Sequence, residues 1–317
     1  MRIAVLDLGS TSFHLLVVDV DDGLGMEKVL RRRETLHLGA IVATEGCLTP
    51  EAENEAIKAC RRLRRAADRA APHVVIAAAT HALREAANGD DLLARLEEET
   101  RCPIRLLDGS SEAQLVYEGV RAGLPVGDAP TLVCDLGGGS LEVAMGIGST
   151  IEWDASYPLG ASLLTALHVD SDPPSADARE TIARIAREHL SPTVAKLDGA
   201  PRLPCFATGG TARALARIEM ARSGLGAPEG QPPQGVLIPA GRLFALTAAL
   251  ASAPRRKRLA MAGVAPRRVD TIPAGAIVLS TLCEVLDLGG LIVTEWGLRE
   301  GLVGEALRLA PAPAAAR

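Results

Sequence analysis

The sequence predicts an α/β protein made of two related domains that flank a cleft. Three observations support this fold class. The chain has 317 residues, which is more than a single hydrophobic core usually serves. Strand-like runs rich in β-branched residues alternate with helix-like runs. The segment VLDLGSTS at residues 5–12 has a counterpart, VCDLGGGS, at residues 133–140.

The predicted strands are short apolar runs separated by turn residues. They are IAVLDL, HLLVVDV, VVIAAAT, TLVCDLG, LEVAMGI and LIVTEW. Two long helices are predicted at residues 50–71 and 175–196. The first of them has Thr49 as N-cap and Pro50 at its first helical position, and both residues favour a helix start there.

The repeat organises the chain. In each copy a strand ends in Asp, turns on glycine and returns as a second strand. Gly and Pro cluster at residues 122–130, between a helical pattern and the second copy. We therefore predict a first domain over residues 1–125 and a second over residues 126–317. A Gly- and Pro-rich loop is predicted at residues 223–235 and a frayed tail from residue 311.

Composition and charge argue against several classes of protein. The net charge is −5 and the isoelectric point is about 5.8, so no overall field attracts nucleic acid or an anionic membrane. Aromatic residues make up only 2% of the chain, which leaves few rings to stack on bases. The six Cys and six His show no ligand spacing, so a structural metal site is not expected.

No targeting segment is expected either. The apolar window between Asp270 and Glu284 is too short to span a membrane. Asp7 interrupts the N-terminal apolar run, which argues against a secretory signal. We therefore expect a cytoplasmic protein that binds neither nucleic acid nor a membrane.

Each copy of the repeat contains a Gly-Ser turn after a strand that ends in Asp. Such a turn exposes successive backbone N–H groups with no Cβ in the way, and these groups bind phosphate oxygens. The Asp at the strand end, Asp7 or Asp135, can hold a divalent cation or an attacking water beside the phosphate. The alternative for each turn is a tight hairpin that needs glycine for a positive φ. The repeated Asp placement favours phosphate binding.

Three other segments contain candidate site residues. Residues 205–218, CFATGGTARALARI, lead through a glycine turn into a helix, and a helix N-terminus favours an anion; the alternative is an ordinary strand-to-helix turn. Arg84 has a fork of donors that suits phosphate, or it is an exposed helix arginine. Glu112 lies in the first turn of a predicted helix, where the alternative role is to stabilise the helix dipole.

Seven motifs occur in a fixed order. They are DLGSTS, ATHALREAANG, SSEAQLVYEGV, DLGGGSLE, ATGGTARALA, RVDTIPAGAIVL and TEWGLREGL. Together they resemble the exopolyphosphatase and guanosine pentaphosphate phosphatase (Ppx/GppA) family, in its short two-domain form, over residues 1–305. The resemblance implies two related actin-like domains flanking a cleft, of the ribonuclease H-like superfamily that includes sugar kinases, heat-shock ATPases and actin.

The resemblance also implies roles for the residues at matching positions. Glu112 is implied as the catalytic carboxylate that orients or deprotonates the attacking water, and Glu142 as a second carboxylate beside it. Asp7 and Asp135 are implied as residues that hold magnesium and water. The implied phosphate-binding residues are Gly9, Ser10, Thr11, Arg84, Gly137, Gly138, Gly139, Ser140, Gly209, Gly210 and Thr211. The implied cofactor is Mg²⁺, with Mn²⁺ as a substitute and a monovalent cation such as K⁺ as an addition.

The activity that the resemblance implies is release of terminal phosphate from inorganic polyphosphate, with short chains preferred because the extra C-terminal domains of long family members are absent. Hydrolysis of guanosine pentaphosphate (pppGpp) at its 5′ end is the alternative reaction. A regulator that only binds guanosine penta- or tetraphosphate, a kinase of the same fold and an actin-like structural protein are three rival interpretations. The family also implies a homodimer formed through the second domains.

The chain departs from the family pattern at two positions. Thr11 stands where the family usually has Asn, which puts one side-chain hydrogen bond in doubt, and Ser111 replaces an acid that often precedes Glu112. Because the net charge is negative, a polyphosphate would have to follow local basic clusters, each of which is otherwise a solvated face. The candidate clusters are residues 31–33, residues 61–65, residues 255–258, and Arg267 with Arg268.

Overall fold

The computed structural model describes residues 1–21, 25–124, 127–197, 203–224 and 233–309. In these residues, eleven strands form two mixed sheets. The strands of the first sheet are β1 (Arg2–Leu8), β2 (Ser12–Val20), β3 (Met26–Thr35), β4 (Val74–Ala79) and β5 (Ile104–Leu106). Those of the second are β6 (Thr131–Leu136), β7 (Leu141–Ile147), β8 (Thr150–Tyr157), β9 (Cys205–Thr208), β10 (Val236–Pro239) and β11 (Gly290–Val293).

Both sheets have the same arrangement of five strands. The first has the order β3-β2-β1-β4-β5, and the second has the order β8-β7-β6-β9-β11 with β10 added at the edge. In each sheet the first three strands are antiparallel, and the next two run parallel to the central one. This shared topology agrees with the predicted duplication.

Twelve α-helices in the described residues connect and cover the sheets. Those of the first half are α1 (Leu38–Glu45), α2 (Pro50–Arg69), α3 (His81–Glu85), α4 (Gly89–Thr100) and α5 (Gly109–Gly123). Those of the second half are α6 (Ala161–His168), α7 (Ala176–Val194), α8 (Gly209–Arg222), α9 (Ala240–Ser252), α10 (Arg255–Leu259), α11 (Ile272–Val285) and α12 (Leu298–Leu309). A short 3₁₀ helix spans Pro266–Arg268.

The two long helices predicted from sequence are confirmed as α2 and α7. Helix α2 begins as predicted, because the side chain of Thr49 accepts a hydrogen bond of 3.2 Å from the backbone N–H of Ala52 and Pro50 occupies the first turn. All six predicted strands overlap observed ones. Strand β3 is not predicted by the sequence, since its residues are mostly charged and exposed and lack the apolar alternation that identifies a strand.

The helices α5 and α12 fill the space between the two sheets. They pack with apolar side chains from one face of each sheet in a single core cluster. Their approach requires glycine, because a Cβ on Gly119 would lie 2.0 Å from the backbone oxygen of Gly297, and one on Gly301 would lie 2.0 Å from that of Leu115. This close packing holds the N-terminal turns of both helices next to the cleft between the sheets.

The predicted domain boundary between residues 125 and 126 lies outside the described residues and stays a prediction. The same holds for most of the predicted loop at residues 223–235 and for the tail from residue 311. Within the part of the chain that the structure describes, no helix combines the length and the apolar character needed to cross a membrane.

Candidate active site

A cleft opens between the two sheets where β1 and β6 end. The first turn (residues 9–12) follows β1, and the second turn (residues 137–140) follows β6. Both turns line the cleft, as do Asp7, Glu112, Asp135, Gly209 and Gly210. Candidate residues that lie far apart in the sequence therefore meet in one place.

The two turns touch each other across the cleft. A Cβ on Gly138 would lie 2.0 Å from Oγ1 of Thr11, and one on Gly139 would lie 2.2 Å from Cδ2 of His81. The Thr11 hydroxyl also lies 2.9 Å from the hydroxyl of Ser162, at the start of α6. No glycine in either turn has a positive φ, so these glycines allow the close approach of the two halves and do not serve a left-handed hairpin.

The glycine turn in residues 205–218, which leads into α8, lies against strand β6. Gly209 is the first residue of α8 and has a φ of +91°. A Cβ there would lie 2.3 Å from the backbone oxygen of Leu136 and 2.6 Å from Oδ1 of Asp135. A side chain is excluded here both by the backbone conformation and by space. The N-terminus of α8 is thereby placed beside Asp135.

Four carboxyl groups gather at this end of the cleft. Asp7 and Asp135 lie near the ends of β1 and β6, and Glu142 lies on β7 directly opposite Asp135. Glu112 lies in the first turn of α5, whose N-cap is Asp108; the Asp108 side chain accepts a 2.7 Å hydrogen bond from the backbone N–H of Ser111. The N-terminus of α5 therefore points Glu112 toward the acids of both sheets.

Burial is the main reason why these carboxyl groups bind protons more tightly than usual. It raises the pKa of Asp7 to about 6 and that of Glu142 to about 7. The pKa of Asp135 is raised as well, and that of Glu112 is raised well above its ordinary value by burial and then by the negative charges of Glu142 and Asp135. The four groups repel one another, so the site favours a cation or a shared proton among them.

Arginines oppose this effect from three sides. Arg299 lowers the pKa of Asp7, from which its Nε lies 4.0 Å away. Arg213 of α8 lowers the pKa of Asp135. Arg84 lowers the pKa of Glu112, and its Nη1 lies 3.9 Å from the Oε2 of that residue. The site therefore alternates acids with arginines, as a site for phosphates and cations requires.

Three of the candidates lie behind the cleft surface. Arg84 donates a 2.5 Å hydrogen bond to the backbone oxygen of Leu107 beside Glu112. Glu142 accepts a 2.7 Å hydrogen bond from the Ser156 hydroxyl. Thr211 is buried, and its Oγ1 would be 2.6 Å from a Cβ on Gly275. The roles of all the candidate residues stay predictions, and these three side chains are not among those that line the cleft.

A second space, the arginine groove, continues from the cleft. It is lined by His14, Arg31, Arg32, Arg33, Gly210, Arg213, Arg217, Arg267, Arg268 and Glu295. Five of these residues, His14, Gly210, Arg213, Arg268 and Glu295, also line the cleft. The groove therefore begins at the cleft and brings together two of the four predicted basic clusters, residues 31–33 and the pair Arg267 and Arg268.

The arginines of the groove have little compensating charge. Among the described residues Arg33, Arg217, Arg267 and Arg268 form no ion pair within 4 Å. Burial and neighbouring arginines lower the pKa of Arg268 to about 9 and that of Arg33 to about 10. This crowding of like charges is unfavourable without an anion.

The remaining two basic clusters lie elsewhere in the molecule, and their arginines are mostly exposed except Arg258, which is buried and donates a hydrogen bond of 2.8 Å to the backbone oxygen of Val269. In the cluster at residues 61–65, Arg62 pairs with Glu34 at 2.8 Å. In the cluster at residues 255–258, Arg255 pairs with Asp270 at 2.9 Å. Neither cluster lines the cleft or the groove. Their position does not favour a role in guiding polyphosphate: the cluster at residues 61–65 fits a solvated face, and in the cluster at residues 255–258 the buried Arg258 has a structural role.

Comparison with known proteins identifies the family. A model described as the Ppx/GppA phosphatase family matches residues 16–309. The chain belongs to this family. The resemblance that the seven motifs carry is thereby confirmed.

Relatives of the Ppx/GppA chain include proteins named Exopolyphosphatase 1. The one from Mycobacterium tuberculosis (strain ATCC 25618 / H37Rv) is 32% identical over 308 residues, which cover 96% of this chain and 87% of the relative. The one from Mycobacterium leprae is 31% identical over 308 residues, which cover 96% of this chain and 88% of that relative.

Solved structures agree with the fold. An exopolyphosphatase from Cytophaga hutchinsonii has a TM-score of 0.88 at 27% identity and covers 98% of this chain and 99% of its own. A Ppx/GppA family member from Aquifex aeolicus has a TM-score of 0.82 at 27% identity, with the same coverage of 98% and 99%. The predicted α/β fold with two related halves that flank a cleft is confirmed, and its actin-like classification stays what the resemblance implies.

Sequence reasoning missed several residues that line the cleft. Arg213 follows Gly209 by four positions, so it lies on the same face of α8 as the glycine turn. Arg299 lies in the TEWGLREGL motif, but a single arginine at the start of a helix does not by itself indicate a binding site. His14 could have been found by aligning the two hairpins, because it faces Asp7 as Glu142 faces Asp135.

The acids of this family member fit a divalent cation only in part. Among the described residues, no three His, Cys, Asp or Glu side chains converge closely enough to hold a metal ion by themselves. Yet Oε2 of Glu112 is buried with no hydrogen-bond partner in the described chain, and the oxygen donors of Asp7 and Asp135 suit Mg²⁺. Magnesium is usually bound by one or two carboxylates together with water and substrate phosphates, so the donor set fits if a phosphate supplies the rest.

Proposed function

We propose that this protein is an exopolyphosphatase, which releases the terminal phosphate of inorganic polyphosphate by attack of water. One observation carries the proposal: a buried carboxylate oxygen of Glu112, which has no hydrogen-bond partner among the described residues, lies in a cleft between two glycine turns. That cleft continues into the arginine groove. The relatives named exopolyphosphatase support the same activity.

The groups around the cleft match what hydrolysis of a phosphoanhydride needs. Little covalent help is required, because catalysis consists of placing the water in line and stabilising the charge of the transferring phosphoryl group. The backbone N–H groups of the turns bind that phosphoryl group. Arg299 also lines the cleft, and its Nη1 is buried without a hydrogen-bond partner among the described residues. It is therefore available to a phosphate oxygen.

Glu112 serves as the base in this proposal. Its carboxylate takes a proton from the water as the water oxygen attacks the terminal phosphorus. The bond from that phosphorus to the bridging oxygen breaks, and the shortened chain leaves with the electron pair. A raised pKa makes Glu112 a stronger base, while the charge of Arg84 favours its ionised form. The products are orthophosphate and a polyphosphate one unit shorter.

Magnesium is part of the proposal. Asp7 and Asp135 would hold Mg²⁺, or Mn²⁺ in its place, together with phosphate oxygens, and the bound ion would neutralise charge on the substrate. A monovalent cation such as K⁺ would bind the same polyanionic region. We also propose a homodimer formed through the second domains and a cytoplasmic location.

The arginine groove favours a substrate with several phosphates in a row. A chain whose end lies in the cleft can extend past Arg213 and Arg268, which line both spaces. We propose that short chains are preferred. Guanosine pentaphosphate is the alternative substrate, since its 5′ triphosphate presents the same terminal anhydride. A regulator that binds without hydrolysis is less well supported, because Glu112 and Glu142 both lie at the site.

The test is release of inorganic phosphate in the presence of Mg²⁺ from four substrates measured side by side: short polyphosphate, long polyphosphate, pppGpp and ATP. We expect short polyphosphate to give the highest kcat/KM. The Glu112→Gln variant is the matched control, because it keeps the shape of the side chain and removes the base. Phosphate released from pppGpp alone would replace the proposal by its alternative, and phosphate transferred to an acceptor instead of water would indicate a kinase.

A further inference from the structure

Glu295 is the one acidic side chain among the described residues that line the arginine groove. It follows β11 in the second half of the chain and is 8% exposed. Its Oε2 lies 3.3 Å from Nζ of Lys28 and 3.6 Å from Nη1 of Arg31, both on β3 of the first sheet. A carboxylate from the second half of the molecule therefore forms ion pairs with two cationic side chains of the first half.

The ion pair of Glu295 lies where the substrate would bind. It lines both the cleft and the groove, so it lies at the junction that an extending phosphate chain must pass. Burial opposes ionisation of Glu295, but the positive charges of Lys28 and Arg31 outweigh burial, so the pKa of Glu295 is lowered. Its carboxylate is therefore ionised where an anionic chain would bind.

We propose that Glu295, held by Lys28 and Arg31, competes with the substrate for Arg31 of the groove and thereby sets the chain length that the protein binds best. A short chain that stays within the cleft and ends before this junction leaves the ion pair intact. A longer chain brings additional phosphates toward Arg31 and meets the carboxylate, and juxtaposed like charges oppose binding. Glu295 is thus a specificity-determining residue, and this inference rests on the proposed function.

The local structure holds Glu295 in place by contacts that its side-chain charge does not supply. Its backbone N–H donates a hydrogen bond of 2.9 Å to Oε1 of Gln234, and the Thr294 hydroxyl donates one of 3.2 Å to the same oxygen. A substitution that keeps the size of the side chain therefore changes the charge with little change to the loop.

The experiment compares KM for tripolyphosphate with KM for a polyphosphate of about a hundred units. In Glu295→Gln we expect the ratio of the long-chain KM to the short-chain KM to fall by about tenfold, because the repelling charge is gone. In Glu295→Asp the charge stays while the contacts to Lys28 and Arg31 are lengthened, so the ratio should stay within about twofold of wild type.

Glu219→Gln is the matched control. Glu219 is also 8% exposed and is paired with Arg242 at 3.0 Å, but it lines neither the cleft nor the groove. Its loss should leave the KM ratio unchanged. If Glu295 were instead a tether between the two halves, Glu295→Gln and Glu295→Asp would both raise KM for every chain length, and the proposal would be overturned.

Binding separates this inference from the proposed function. The dissociation constants of the same two polyphosphates, measured in the Glu112→Gln background, do not depend on turnover. A lower ratio of long-chain to short-chain dissociation constants on adding Glu295→Gln supports the competition even if the wild-type protein hydrolyses another substrate. If the wild-type protein hydrolyses polyphosphate but adding Glu295→Gln leaves the ratio of dissociation constants unchanged, the competition is rejected and the exopolyphosphatase proposal stays in place.

Discussion

The two hairpins that line the cleft have the same backbone register and different side chains. In the first, Asp7 pairs with His14 and Leu8 with Phe13. In the second, Asp135 pairs with Glu142 and Leu136 with Leu141. The first turn reads Gly-Ser-Thr-Ser, whereas the second reads Gly-Gly-Gly-Ser.

This difference shows how a duplicated element became asymmetric. The first hairpin provides side chains that cross to the other half, such as Thr11, while the second provides space, since Gly138 and Gly139 lie where those side chains pack. The position opposite the aspartate has diverged as well, to a histidine in one copy and to a buried acid in the other. One hairpin therefore builds the contact between the halves, and the other contributes an additional carboxylate to the site.

The largest expected effect is on kcat, and it tests whether Glu142 of the second hairpin or Glu112 of α5 is the catalytic base. Glu112→Gln should lower kcat by a factor of about 10² to 10⁴, the usual contribution of a general base. Glu142→Gln should cost less, because Glu142 lies behind the surface and is held by Ser156. Both are measured as phosphate release at saturating substrate. A larger loss in Glu142→Gln would exchange the two roles.

The next effect is on stability, and it tests whether the second turn requires glycine at Gly138. In Gly138→Ala the new Cβ would meet Oγ1 of Thr11 at 2.0 Å, whereas in Gly137→Ala the nearest atom is the backbone oxygen of Ser140 at 3.4 Å. Gly138→Ala should destabilise the protein by about 1 to 3 kcal/mol, typical of overpacking, and Gly137→Ala by much less. Urea unfolding measures both.

The cause of that loss can be isolated by a rescue. If the Thr11 side chain is the obstacle, Thr11→Ala should recover most of the stability lost in Gly138→Ala, because it vacates the contested space. Equal losses from Gly137→Ala and Gly138→Ala, or a double variant with additive losses, would show that the two turns do not depend on each other in this way.

A smaller effect tests the contact that the first hairpin makes. Thr11→Val keeps the shape of the side chain and removes the 2.9 Å contact with the Ser162 hydroxyl, at a cost of about 1 kcal/mol in the free energy of unfolding. Thr11→Ser keeps the hydroxyl and should stay close to wild type in this respect. Thr165→Val is a control on α6, the helix of Ser162, since the Thr165 hydroxyl donates to the backbone oxygen of Ala161 within that helix. Additive losses in Thr11→Val with Ser162→Ala would argue against a direct contact.

The last effect concerns pH and the buried acids that both halves contribute to the cleft. The pKa of Glu142 is raised to about 7 and that of Asp7 to about 6, so the folded protein binds protons between pH 8 and pH 5 that the unfolded chain does not. The free energy of unfolding should therefore rise as the pH falls from 8 to 5, by roughly 4 kcal/mol.

Urea titrations of the metal-free protein at pH 8 and pH 6 measure this rise, and Glu142→Gln should reduce it. Activity should change in the opposite direction, since Glu112 acts as a base only when ionised. Stability that falls over the same range would mean that the carboxyl groups are stabilised as anions in the folded state.

Several parts of the site could be predicted because they are local in the sequence. The repeated strand, aspartate and glycine turn is visible in residues 5–12 and 133–140. The sequence also places Glu112 in the first turn of a helix, and the structure confirms that helix. The edge strand β3 could not be found, because an exposed strand has no buried face to produce alternation, and its pairing with β2 defines it.

The sequence by itself determined the duplicated hairpins, the helix starts and the acids at the strand ends, because these depend on side-chain periodicity and on residues a few positions apart. Only the tertiary structure decided that residues 31–33, Arg213, Arg217, Arg267 and Arg268 form one groove, that Glu295 lies among them, and that the glycines of the second turn serve contact and not a positive φ. The physical reason is that charge clustering and close packing depend on distances between residues far apart in the chain, and these distances exist only once the two sheets have packed around α5 and α12.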